Sequence, residues 1–438
     1  MRILKLLPRF RNLASLLAEM AERETWARSR VEGYQLQRLN ALWSKSIQDT
    51  PLYRELASMA KLPTRFGSLA EFSATVPRLT KGHIRARRLD LLSARHRPGK
   101  WHLTGGSTGL PVQVFWDTHG HREALRGKYR LYQSWNVEPL DPMVFLWGHG
   151  ASFKSGFKRW VGIAERMVTD RLRSRLRLSA YNTSRADFRD YLKQVERFQP
   201  RALYGYSTSV YLLAQEALAA GRSIDSLKAV FLTSEPILAS HREAVSQAFG
   251  VPAVAEYGSV ECGFIAGDAH DGTLRVRDDS VIVETEQNAW GTFDIVVTVL
   301  GNPSFPLIRY EIGDVTDKPI SKPDVGFACL GEIIGRSNDF IRSGAGKVIH
   351  PISFMYWMEE VVPNLGRYAI HQGADSRLTI EIESEIWSEA TQWQLHLTDR
   401  LTEFTEGLDI HIDVVDKLTL TAGGKHRFIT SDVASATV

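Results

Sequence analysis

The chain has 438 residues, 43% of them hydrophobic and 24% charged, which is too long for one simple core and ordinary for a soluble globular protein. Its net charge of +4 is mild: it suits an anionic small molecule, a polyanion or an anionic membrane surface equally and selects none of them. Cys262 and Cys329 are the only cysteines, which excludes a disulfide framework and a cysteine metal cluster and makes a reducing, cytoplasmic setting the expectation.

Charges interrupt the apolar residues of the first eleven positions too often for a signal-peptide core, and no later stretch is apolar enough to span a bilayer. A basic amphipathic start of this kind suits either peripheral membrane contact or a helix packed on the protein's own body, the plainer of the two. From Leu13 onward Leu16, Leu17 and Met20, then Tyr34, Leu36, Leu39, Leu42 and Trp43, recur at threes and fours and predict a helical leader over 1–60. Pro51 closes it, and Thr50-Pro51-Leu52-Tyr53-Arg54 opens a new short helix. Pro77-Arg78-Leu79-Thr80-Lys81 reads as a loop before a helix whose basic residues, Lys81, Arg85, Arg87 and Arg88, form a solvated face.

The next stretch carries the first chemistry. Thr104-Gly105-Gly106-Ser107-Thr108-Gly109-Leu110-Pro111 lies between apolar runs at 101–103 and 112–116, two short strands joined by a tight loop. Glycines let the backbone come close to a ligand, successive N–H groups point into one concavity, and Thr104, Ser107 and Thr108 add hydroxyls. That chemistry suits a polyphosphate. It is not a Walker A loop, because no Gly-Lys-Ser/Thr closes it; its plain alternative is a polar hairpin turn.

A helix over 119–135 and a buried strand over 143–147 follow, the strand ending at Gly148-His149-Gly150, where α/β proteins place ligands. Arg171, Arg173, Arg175 and Arg177 alternate with leucines; without interleaved aromatics they read as a solvated edge and predict no nucleic-acid partner. Between 184 and 257 helices and strands alternate: helix 186–198, strand 202–206, a helix capped by Ser207, strand 229–232, helix 240–249 stopped by Gly250, and strand 253–256. Such alternation gives right-handed crossovers and a parallel sheet, with sites at the carboxyl ends of its strands. Those ends are Gly205-Tyr206-Ser207, Thr233-Ser234-Glu235-Pro236 and Tyr257-Gly258-Ser259-Val260-Glu261.

Runs at 281–285, 293–299 and 307–310 predict an antiparallel sheet or small barrel, followed by two loops, Tyr310-Glu311-Ile312-Gly313-Asp314 and Gly335-Arg336-Ser337-Asn338-Asp339. The tail offers strands at 368–371, 378–382 and 410–414 and a helix over 387–404, a small α+β domain of ordinary size. It ends in Gly423-Gly424-Lys425, a lysine on a flexible loop that suits either a cleft or solvent.

Taken together and in order, these loops resemble those of the adenylate-forming enzymes, in the phenylacetate–CoA ligase-like branch and closest to its capsular-polysaccharide members; the likeness covers nearly the whole chain, including Thr50-Pro51-Leu52-Tyr53 and Pro77-Arg78-Leu79-Thr80-Lys81. The resemblance implies an α/β fold with a large N-terminal domain over 1–335, holding doubly wound parallel sheets and a small β-barrel-like part. A small mobile α+β lid would occupy 336–438. It implies ATP, Mg2+ and coenzyme A as cofactors, and roles by position. Thr104, Gly105, Gly106, Ser107, Thr108 and Gly109 would embrace the β,γ-phosphates, and Tyr257, after which Gly258 follows, would stack on adenine. Ser234, Glu235 and Pro236 fall where the family's backbone lines the adenine site, Asp314 would hold the ribose hydroxyls and Arg336 would contact ribose from the hinge. Glu261 would hold the metal, and Lys425 would bridge the acyl carboxylate and the α-phosphate. The acyl pocket would be lined by His149, Tyr206 and Ser207.

Three departures accompany the likeness: Leu110 and Val112 where the phosphate loop commonly carries lysine, Asn338 at the hinge, and Val260 where a hydroxyl residue is usual. The implied reaction joins a small carboxylic acid to ATP, releases pyrophosphate, and passes the acyl group to CoA or to an amine or hydroxyl on a sugar-linked acceptor. The alternative is a nucleotide-binding scaffold without catalysis in a polysaccharide assembly.

Overall fold

The computed structural model describes residues 8–104, 111–148, 170–171, 173–180, 185–336, 339–361, 367–383, 391–419 and 426–433. The described elements begin with helices α1 (Pro8–Arg23), α2 (Arg28–Asp49), α3 (Pro51–Met59), α4 (Leu69–Thr75) and α5 (Lys81–Arg87), then strands β1 (Gly99–Leu103) and β2 (Gln113–Asp117) and helix α6 (Thr118–Ser134). The alternating region runs β3 (Met143–Trp147), β4 (Arg175–Ser179), α7 (Arg185–Phe198), β5 (Ala202–Tyr206), α8 (Ser207–Ala219), β6 (Ala229–Thr233), α9 (Ala239–Phe249) and β7 (Ala253–Ser259). Strands β8 (Gly263–Asp268), β9 (Leu274–Val276), β10 (Val281–Gln287), β11 (Phe293–Val299), β12 (Tyr310–Thr316), β13 (Cys329–Leu330) and β14 (Ile333–Arg336) follow. The tail holds β15 (Ile341–Arg342), β16 (Val348–Ile349), α10 (Pro351–Val361), β17 (Tyr368–Gln372), β18 (Leu378–Glu383), α11 (Thr391–Phe404), β19 (Ile410–Val415) and β20 (Ile429–Ser431).

The chain divides into two compact units, neither of them continuous: Met1–Pro139 with Glu256–Ile333, and Leu140–Ala255 with Ile334–Val438. In the first unit β10, β11 and β12 pair antiparallel, and the period of two turns Ile295, Val297 and Val299 into one core. Leu39, Leu42 and Trp43 of α2 and Tyr53 of α3 enter the same core. Buried Tyr53 donates to the Pro306 carbonyl at 3.0 Å and accepts from the Ile308 N–H at 3.1 Å, so the leader helices are part of this unit's interior. Leu17 and Met20 of α1 are likewise buried. Strands β1 and β2 pair from Gly99↔Asp117 to Leu103↔Gln113, and Thr104 closes the base of the glycine loop, its Oγ1 accepting from the Val112 N–H at 2.9 Å.

In the second unit β4, β3, β5 and β6 are parallel neighbours in that order, and the Val230 N–H reaching the Pro252 carbonyl brings the start of β7 beside β6. Near-continuous apolar strands are what a sheet covered on both faces requires. Val144, Leu146, Leu203, Val230 and Leu232 pack with Leu192, Val195, Leu213 and Val245 of the crossover helices. The tail forms a second sheet in the order β19-β18-β17-β20, with β17 antiparallel to β18 and the outer pairs parallel, and Leu378, Ile380 and Ile382 fully buried.

Two local expectations differ from what is observed. The strand expected at 307–310 starts only at Tyr310 and continues through Asp314, so the Tyr310–Asp314 motif is strand rather than loop. Residues 307–309 bond elsewhere: the Leu307 carbonyl accepts from Val299, the Ile308 N–H goes to Tyr53, and the Arg309 N–H goes to Thr298 Oγ1. Ser207 does not cap α8; Tyr206 holds the cap position without a side-chain bond, because the Ser207 hydroxyl is taken by His241.

Candidate active site

The first unit brings three of the expected residues onto two strands and one turn. Strand β7 carries Tyr257 and Gly258, and the pairing with β8 shifts register between them. A Cβ on Gly258 would stand 2.3 Å from the Gly263 carbonyl oxygen, so only glycine allows this approach of backbones. Tyr257 donates its hydroxyl hydrogen to Asp314 Oδ2 at 3.0 Å. Asp314 lies on β12 directly after Gly313, whose φ of +81° is one that glycine takes without strain.

Glu261 sits in the turn from β7 to β8, where the Val260 carbonyl accepts from Trp116 Nε1 at 2.9 Å and holds the turn in place. The side chain is buried, and Tyr310 donates to its Oε1 at 3.2 Å. Burial first, and the Glu261 charge second, raise the Tyr310 hydroxyl far above the ordinary tyrosine range, so it remains a donor. The same two causes push the Cys262 thiol well up, which removes it as a nucleophile. One shielded carboxylate is a donor that would suit Mg2+ held mainly by substrate phosphates.

The second unit holds the other expected residues. Trp147 at the end of β3 stacks on Tyr204, with centroids 5.4 Å apart, and leans on Tyr206 at 4.3 Å. Ser207 Oγ lies 2.6 Å from His241 Nδ1, and burial lowers that histidine to about 3, so its ring is neutral. Ser234 takes a φ of +72°, uncommon for a residue with a side chain, as the chain turns out of β6. Glu235 then points both oxygens at backbone donors, Thr208 N–H at 2.9 Å and His426 N–H at 2.6 Å. Pro236 follows in the loop before α9, and Arg336 is the last residue of β14, its carbonyl accepting from the Asp339 N–H.

Gly105, Gly106, Ser107, Thr108, Gly109, His149, Asn338 and Lys425 lie outside the described residues. Among the described ones, Tyr257, Glu261 and Asp314 share the first unit with Thr104 and Gly258, whereas Tyr206, Ser207, Ser234, Glu235, Pro236 and Arg336 share the second.

Sequence reasoning left four neighbours of these residues without a role: Tyr310, Lys81, His241 and His426. Lys81 was assigned to a solvated face, yet its Nζ reaches to 3.3 Å from where a side chain on Gly313 would begin. A signal was present, since Lys81 opens α5 behind a Thr80–His83 capping box, and a cation at a helix N-terminus opposes the dipole. Nothing local marks the two histidines or Tyr310.

No family model matches the chain. It is 22% identical over 417 residues to the protein CapK of Staphylococcus aureus, covering 91% of this chain and 89% of that one. Among solved structures, 2-hydroxyisobutyryl-CoA ligase in the postadenylation state with 2-HIB-AMP superposes with a TM-score of 0.72 at 15% identity, over 95% of this chain and 92% of the other. The anthranilate CoA ligase AuaEII with anthranoyl-AMP reaches 0.51 at 18% identity, over 74% of this chain and 65% of the other. The chain thus shares its fold with these CoA ligases.

Proposed function

We propose that the chain activates a small carboxylic acid with Mg-ATP to an acyl-adenylate, releasing pyrophosphate, and then passes the acyl group to the thiol of CoA. The observation that carries this reading is the Tyr257–Asp314 hydrogen bond, which joins the expected adenine-stacking ring to the expected ribose acceptor across strands of two different sheets within one unit. Solved neighbours bound to 2-HIB-AMP and anthranoyl-AMP support the same class of reaction.

In this reading Asp314 accepts from the ribose hydroxyls and Tyr257 covers the adenine face. Glu261, oriented by Tyr310, would hold Mg2+, which would supply positive charge to the phosphates of ATP. Lys425 supplies the second cation between carboxylate and phosphate, worth roughly 2–4 kcal/mol if it behaves as other transition-state donors do. Tyr206 and Trp147, whose rings touch, would give the acid an apolar wall beside the buried Ser207–His241 pair.

An amine or hydroxyl on a sugar-linked precursor is the second acceptor to test, and the CapK likeness is what favours it. Isotope exchange between pyrophosphate and ATP, run across a panel of carboxylic acids with and without Mg2+, tests the first half-reaction. Acid-dependent exchange is expected. ATP binding without exchange for any acid returns the chain to the nucleotide-binding scaffold.

A further inference from the structure

Glu235 joins two places that are far apart in sequence. Its Oε2 accepts from the N–H of Thr208, the second residue of α8, a position whose amide has no partner inside the helix and lies at the positive end of the dipole. Its Oε1 accepts from the N–H of His426, the residue after Lys425, at 2.6 Å, the short distance of a charge-assisted bond. Arg367, buried and paired with Glu383 at 3.3 Å, adds its positive field near the Glu235 carboxylate.

The His426 side chain does not account for this docking. The residue is 6% exposed, and its ring packs edge-on against Phe428 at 4.1 Å. Neither ring nitrogen has a partner in hydrogen-bond geometry, although the Tyr368 backbone lies close enough to be felt. Burying two polar atoms without partners is unfavourable. The Arg427–Asp339 pair at 2.6 Å and the pairing of β20 with β17 hold this segment within the tail, and the peptide N–H held by Glu235 is the bond that ties it to the loop after β6.

We propose that Glu235 is a positioning residue that latches the backbone beside Lys425 to the start of α8, and so sets how long the tail dwells in its adenylating arrangement. This rests on the reading of Lys425 as the adenylation lysine. A carboxylate suits the task because it accepts two N–H groups at once. Glutamine in its place presents one acceptor oxygen and turns an N–H2 toward the other donor.

The test uses the full chain and two readouts. Amide hydrogen exchange over 426–433 reads the latch without any turnover, and Glu235→Gln is expected to lower protection there about ten- to a hundredfold, the worth of one charged hydrogen bond. The two half-reactions read its purpose: pyrophosphate exchange should fall by a similar factor, and by clearly more than transfer from pre-made acyl-adenylate to CoA does. In a Lys425→Ala background Glu235→Gln should cost adenylation nothing further, because the latch acts through that lysine. His426→Pro deletes the donated N–H, leaves Glu235 intact and should reproduce the phenotype if Glu235→Gln folds poorly. Unchanged protection over 426–433, equal losses in both half-reactions, or a full additional loss in the Lys425→Ala background would each overturn the proposal. A wild-type chain that exchanges with no acid would sink the ligase reading, while the protection measurement would still decide the latch.

Discussion

Tyr257 contributes two separable things, a ring and a hydroxyl, and one substitution divides them. Tyr257→Phe keeps the face that would cover adenine and removes the bond to Asp314, leaving that carboxylate less firmly aimed at ribose. Loss of one such hydrogen bond is worth about 1 kcal/mol, so KM for ATP should rise roughly five- to tenfold with little change in kcat or in thermal midpoint. Steady-state kinetics at saturating acid check this, and an unchanged KM would detach Asp314 from the nucleotide. At this scale the sequence marks residues that sit together in a contiguous motif, as with Tyr257, Gly258 and Glu261. It was silent where a partner comes from far along the chain. Tyr310 meets Glu261 across 49 positions, and His241 meets Ser207 across 34, so neither pairing leaves a periodic or spaced signature.

Strands and helices were legible for a different reason. In the second unit the crossover helices and buried strands impose distinct periods on their apolar residues, and elements from α7 to β7 follow those periods closely. The failures are places where tertiary bonds override local preference. Arg309 spends its N–H on Thr298 and its guanidinium on Glu284 and the Val76 carbonyl, which postpones β12 to Tyr310. Ser207 has the composition of a helix cap and is diverted by a histidine on α9. One glycine tests how tightly these elements meet. A Cβ on Gly205 would lie 2.8 Å from the Leu146 carbonyl oxygen and 2.9 Å from Val210 Cγ2, and the backbone oxygen cannot swing away. Gly205→Ala should therefore destabilise the protein by about 1–3 kcal/mol, as overpacking does. Urea unfolding measures it, and a wild-type midpoint would mean that β3 and β5 separate freely.

On the scale of the whole molecule, the second unit buries two histidines whose protonation is held down to about 3, His241 by desolvation and His426 by desolvation aided by the charges of Arg367 and His241. Exposed in the unfolded chain, each takes a proton near its ordinary value of about 6.5. Between about pH 6.5 and 3 the unfolded chain binds more protons than the folded one. Stability is then fully present above 6.5 and lost as pH falls, by up to about 1.4 kcal/mol per pH unit for each histidine. Denaturation midpoints at pH 7, 6 and 5 should fall progressively, and His241→Asn should flatten the slope; a flat profile in the wild type would contradict the burial of both rings.

The interleaving of the two units also has a bearing on how the chain is made. Tyr53 completes its hydrogen bonds only with Pro306 and Ile308. A ribosome adding about 5–20 residues each second delivers those partners roughly 10–50 s after Tyr53 itself. Through that interval the apolar faces of α2 and α3 have Phe66, Phe72 and Trp116 to pack on but lack the β10–β12 part of their core, whereas the β3–β7 region, encoded in between, has its neighbours close at hand. A chain cut short near residue 255 would hold the β3–β7 sheet with its crossover helices but lack the strands that complete the core around Tyr53.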